Sequence, residues 1–310
     1  MGGNPVRKTR IAVAAASVVL MAGLTACGSD GDGGSSGGSS KAGGSSSEGG
    51  KKDGDSPVRS ALTALQAASK TTQKQESAKV EGDQKQTARG ASMRSRSEGS
   101  FEWAGSGMTG TAEITTEGSA AGAAGGRPMQ ARYLKDAMYT QLPAGPYEGK
   151  WVKYDYDVLA QKGGASGAYL KDQIQNNNPA RSVQLLLATG KVKAVGKESV
   201  RGVQATHYTG VVELGELTRS QSQELSESDL KALEQQFRQL GLTKERIDLW
   251  IDDKDLLIKK REVARSSTGS TDVDNTVYYS DYGTPVNVSA PAGAMNFEDM
   301  AGAGAAAGQS

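Results

Sequence analysis

The sequence predicts an α+β domain in which a twisted, curved antiparallel sheet wraps helices. Short segments that alternate apolar and polar residues come in runs on both sides of mid-chain. Between them the apolar spacing changes to the helical period. Strands and helices do not alternate one for one, which argues against parallel βαβ units and for an antiparallel sheet.

The chain begins outside that domain. Arg7, Lys8 and Arg10 precede an apolar stretch, residues 11–24, that only Ser17 and Gly23 interrupt. A basic segment, an apolar segment too short to span a bilayer and small residues before a cut mark a secretory signal peptide, here residues 1–26. Met1-Gly2 is not a myristoylation signal, because position six is Val6. Leu24-Thr25-Ala26-Cys27 resembles the lipobox of bacterial lipoproteins. That resemblance implies a diacylglyceryl thioether on Cys27, cleavage before it and acylation of the new amino terminus. Two or three acyl chains anchor a protein stably where one binds only marginally, so the expected place is the extracytoplasmic face of the cell membrane.

Residues 27–56 hold the lipidated cysteine and a Gly/Ser tether with scattered Asp and Lys, a composition too polar to bury a core. The 29 residues after Cys27 would span about 30 Å, root mean square. The Ala/Gly-rich tail, 293–310, is equally expected to lack order. One domain, 57–292, remains.

Cleavage at Cys27 takes Lys+Arg from 36 to 33 against 35 Asp+Glu, a mature net charge of −2. The basic excess of a nucleic-acid binder is missing. With 1 cysteine in the chain there is neither an internal disulfide nor a thiolate metal cluster.

The domain opens with a helix. Ser56 suits the N-cap and Pro57 the first helical position, while Val58, Ala61, Leu62, Leu65 and Ala68 share a face. Strand-like segments follow at 78–81, 100–103, 109–114, 131–134, 137–141 and 151–154. The two flanking Lys135-Asp136 form a natural antiparallel hairpin. Pro179 starts a helix with Val183, Leu186 and Leu187 on one side, and Gly190 stops it. A second mid-chain helix spans about 226–240, with Leu230, Leu233, Phe237 and Leu240 as its stripe. Strands return at 206–212, 247–252, 256–263 and 276–280.

Three later stretches carry a more specific likeness. They are Val200-Arg201-Gly202-Val203-Gln204-Ala205-Thr206-His207-Tyr208-Thr209-Gly210, Leu249-Trp250-Ile251-Asp252-Asp253 and Tyr279-Ser280-Asp281-Tyr282-Gly283-Thr284-Pro285-Val286-Asn287-Val288, closing at Pro291. In order and spacing they resemble the actinobacterial LppX/LprG-type lipoproteins. The resemblance implies a LolA/LolB-like fold, a strongly curved antiparallel half-barrel closed by helices around an apolar cavity. It also implies a function: binding acylated lipid or glycolipid and carrying it at the cell envelope. The expected pocket residues are Leu186, Leu187, Leu233, Phe237, Leu240 and Trp250, although a Leu/Phe stripe looks the same facing a core or a ligand. Phe 3 and Trp 3 leave the walls to Leu, Val, Met and Ala, which points to a small pocket or one adapted to another ligand. The alternative is a non-enzymatic module with a filled core that binds a membrane or cell-wall partner.

No enzyme is expected. His207, the sole histidine, sits in a strand-like stretch with no G-x-S-x-G elbow in the chain. Asp248, Asp252, Asp253 and Asp255 lack the loop glycine and terminal Glu of an EF-hand and read as a polar hairpin turn. Neither cofactor nor metal is expected. The partners are a membrane, through the Cys27 acyl chains, and a lipid or glycolipid, with the protein a monomer.

Overall fold

The computed structural model describes residues 57–88, 90–104, 107–119, 121–216, 226–269 and 271–300. The expected lipobox, Leu24, Thr25, Ala26 and Cys27, the expected tether with Ser56, the side chains of Pro57 and Val58 and the tail from 301 lie outside them.

Helix α1 (Pro57–Gln73) leads into one 12-stranded sheet. Its strands are β1 (Ser77–Ala88), β2 (Ala91–Glu102), β3 (Thr109–Gly118), β4 (Pro128–Tyr133), β5 (Ala137–Gln141), β6 (Trp151–Asp155), β7 (Lys193–Val200), β8 (Val203–Glu213), β9 (Lys244–Asp252), β10 (Leu257–Arg265), β11 (Thr271–Ser280) and β12 (Met295–Asn296). Helices α2 (Tyr156–Gln175) and α3 (Pro179–Ala188) stand between β6 and β7, and α4 (Glu227–Gln239) between β8 and β9. The spatial order is β12-β6-β5-β4-β3-β2-β1-β11-β10-β9-β8-β7. All pairs are antiparallel except β12–β6. This is the expected α+β class.

The sheet is not flat. Four strand spacings separate β8 from β1, about 19 Å across a flat sheet. Yet Arg201, in the β7–β8 turn, donates to both oxygens of Glu81 on β1, at 2.5 and 2.9 Å.

Helices cover one face. There Ala61, Leu65 and Ala68 of α1, Val183 and Leu186 of α3, and Leu233 and Phe237 of α4 pack on Tyr208, Ile247, Leu249, Val277 and Tyr279. A second cluster joins Phe101, Ile114, Met129, Ala131, Tyr133 and Met138 to Tyr156 and Ile174 of α2.

The β4–β5 hairpin crosses Lys135-Asp136 as expected, pairing Tyr133 with Met138. Gly190 follows α3 at φ 61, the left-handed conformation that ends a helix. Helix α2 and strand β7 were not expected. Helix α2 is capped by Asp155, whose side chain accepts from the amides of Asp157 and Val158. Gly163, Gly164 and Gly167 hide it, since each lowers helix propensity. Strand β7 is an edge exposed at nearly every position, so it shows no alternation. The tail also differs over residues 293–300: β12 pairs with β6, and Phe297 stacks on Tyr154 at 5.1 Å. Those backbone bonds and that ring contact offset its low apolar content.

Candidate ligand site

Where the two clusters meet, an apolar pocket remains. Val80, Phe101, Ala112, Ile114, Tyr133, Val277 and Tyr279 form its floor, and Trp103, Met108, Asn177 and Pro179 lie around its roof. Phe101 and Tyr133 sit with ring centroids 5.4 Å apart. Burial pushes the Tyr133 and Tyr279 phenols up, so both stay neutral. Space for about 30 Å³ is left, roughly the share of one water molecule in the liquid. The walls of this pocket therefore stand close together.

The expected pocket residues fall elsewhere. Leu186, Leu233 and Phe237 are buried in the first cluster, with Leu187 and Leu240 packed partly against it. Trp250 lies on the opposite face of the sheet. Its β9 neighbours Leu249 and Ile251 take the helix side, and register sets Trp250 against His207 and Lys259. Both faces of β9 are buried, so hydrophobicity alone could not assign its side.

That opposite face is a charged groove of about 600 Å³, lined by Glu81, Asp83, Arg96, Arg201, Lys259, Arg261 and Asp274 among others. Arg261 grips Asp274 at 2.9 and 2.6 Å, and Arg94 grips Asp83 through both of its forks. The Lys259 ammonium lies 3.8 Å from the Trp250 ring centroid, a cation–π contact, and the desolvation that goes with it lowers its pKa. Arg201 stacks over Tyr278 at 3.8 Å.

His207 stacks on Trp250 at 4.4 Å, with Nε2 3.0 Å from Asp248 and Nδ1 3.2 Å from Glu198. Asp248 is thus a buried strand residue, also held by Arg246 at 2.9 Å, and not part of a turn. Asp252 and Asp255 do form the β9–β10 turn, where the Asp252 carboxylate accepts from the amides of Lys254 and Leu256. Among the described residues, no group of three or more His, Cys, Asp or Glu could hold a metal ion.

Sequence reasoning missed a third feature, a polar belt inside the helix-covered face. Thr116, Ser95, Gln84, Asn275 and Glu262 stand opposite one another across β3, β2, β1, β11 and β10. The last four are almost fully buried. The Lys260 ammonium donates to Glu262 Oε1 at 3.1 Å and to Ser182 Oγ of α3 at 3.2 Å, and Asn275 Nδ2 donates to Glu262 Oε2 at 3.3 Å. Nearby, burial and the Glu262 carboxylate push the Glu245 carboxyl up to about 8, with Lys260 pulling the other way. Arg181 of α3 pairs with buried Asp172 of α2 at 3.1 Å.

No protein-family model matches the chain. It is 41% identical over 252 residues to a Streptomyces griseus chain, "Uncharacterized 31.2 kDa protein in rplA-rplJ intergenic region", covering 78% of this chain and 80% of that one. It is 32% identical over 303 residues to "Putative lipoprotein SCO4650" of Streptomyces coelicolor, covering 94% of each. Solved structures that resemble it include LprF from Mycobacterium bovis, at 18% identity and a TM-score of 0.46, covering 77% of this chain and 100% of that one. Lipoprotein LppX from Mycobacterium tuberculosis is similar at 14% identity and a TM-score of 0.46, covering 74% of this chain and 98% of its own. On the two long streptomycete matches, the chain belongs to the lipoprotein family that the Streptomyces coelicolor relative's name denotes.

Proposed function

We propose that the protein is a lipoprotein, anchored through Cys27 on the extracytoplasmic face, whose helix-covered sheet binds an acylated lipid or glycolipid and carries it at the envelope. One observation carries the reading: an apolar pocket lies at the seam of two cores, roofed by the β2–β3 loop and the α2–α3 link rather than by strands. A shift of that roof would open it without unpairing the sheet. Ligand pockets usually span about 300–1,000 Å³, so an acyl chain enters only when the roof moves. Helix α2 is already broken at Gly164, whose φ of 54 and ψ of −140 favour glycine. Taking an acyl chain from water yields about 25 cal/mol per Å² of apolar surface, and transfer needs no covalent chemistry.

Uptake of cis-parinaric acid by the full chain carrying Cys27→Ser tests the binding. Saturable fluorescence near one equivalent is expected, and no uptake would overturn the reading. For the anchor, Cys27→Ser is expected to move the protein from the membrane to the soluble fraction.

The small pocket and the groove of about 600 Å³ on the other face favour a second reading, an interaction module that keeps its core filled. Such a module would take up no lipid and would bind its partner through the charged face.

A further inference from the structure

The polar belt holds two buried acceptors with no hydrogen-bond partner, Gln84 Oε1 and Asn275 Oδ1. Gln84 and Asn275 are 3% and 1% exposed. Stranded buried acceptors are costly, so two facing each other across neighbouring strands mark a place built to meet donors.

The belt continues the apolar pocket. On β11 the pocket residue Val277 and the belt residue Asn275 are two residues apart on one face, about 7 Å. On β2 the same step separates Ser97 of the pocket from Ser95 of the belt. On β1 only Gly82, without a side chain, stands on that face between Val80 and Gln84. An acyl chain lying over Val80 and Val277 would therefore point its polar end at the belt.

From these positions we infer that the belt is a headgroup subsite for a neutral, hydroxyl-bearing lipid head, a glycerol or a sugar, with Gln84 and Asn275 accepting from its hydroxyls. The inference rests on the lipid-binding reading above. Phosphate oxygens offer acceptors to acceptors and do not fit. Gln84 and Asn275 stand opposite each other on neighbouring strands, about 5 Å apart, within reach of two hydroxyls of one head, and Lys260 already supplies the local cation.

The test compares monoolein, with two free hydroxyls, and methyl oleate, with none, as displacers of cis-parinaric acid from the full chain carrying Cys27→Ser. The unsubstituted site is expected to prefer monoolein by about tenfold, the product of two modest hydrogen bonds. In Gln84→Leu/Asn275→Leu the ratio is expected to fall to about one, with methyl oleate binding unchanged. Thermal melts and the single Gln84→Leu variant, expected to halve the preference or more, guard against misfolding. Equal affinities in the parent chain, or a preference that survives both leucines, would overturn the subsite and leave lipid binding standing. If neither lipid displaces the probe, lipid binding falls and the subsite with it.

Discussion

Lys260 sets its ammonium 3.1 Å from Glu262 Oε1 beneath α3, with both side chains almost wholly out of water. The pair sits where desolvation is expensive, and Glu245 adds a second carboxyl close by. Removing the cation alone leaves the buried Glu262 carboxylate uncompensated. Lys260→Met is expected to cost about 3–5 kcal/mol in urea unfolding, whereas Lys260→Met/Glu262→Leu should cost far less because both charges leave together.

Stability should fall as pH rises from 5 to 8. The Glu245 carboxyl titrates near 4.5 when free and is pushed up to about 8 in the fold. Between those values the folded chain keeps a proton that the unfolded chain has released, so stability present below 4.5 is lost progressively up to about 8. Glu245→Gln holds the neutral form at every pH. Melting temperatures at pH 5 and pH 8 should differ less for this variant than for the parent, and the variant should be the more stable at pH 8. A parent chain that gains stability over this range would contradict the assignment.

Trp250 belongs to the charged face, stacked on His207 and capped by Lys259. Trp250→Ala is expected to destabilise the protein by about 3 kcal/mol through lost packing. Lipid uptake, measured below the melting temperature, should be unchanged, because the apolar pocket lies across the sheet.

At Gly164 the backbone adopts a conformation that side-chain-bearing residues avoid, although open space surrounds the position. Gly164→Ala is therefore expected to cost about 1–3 kcal/mol by backbone strain alone. Slower probe uptake by the same variant in stopped-flow fluorescence would tie the break in α2 to movement of the roof.

Much of the fold was legible because the helices are amphipathic. The stripes of α1, α3 and α4 follow the helical period, with Ser226 capping α4 and Gly190 following α3. Helix α2 was not legible, since three glycines interrupt its apolar spacing and tertiary contacts decide its shape. The side of Trp250 was hidden because β9 is buried on both faces. The polar belt was hidden more deeply. Gln84, Ser95, Asn275 and Glu262 each look like solvent-facing strand residues, and only the register of four neighbouring strands aligns them on the helix-covered face. The pocket residues suffered from the ambiguity of a leucine stripe, which here builds the core.

The measurement that bears most directly on the account is native mass spectrometry with organic extraction of the full chain carrying Cys27→Ser, purified from its own host. The account predicts one equivalent of a co-purifying lipid, with hydroxyls on its head and an acyl chain released on extraction. A chain of bare polypeptide mass that also fails to take up added lipid would contradict it and assign the protein to partners on its charged face.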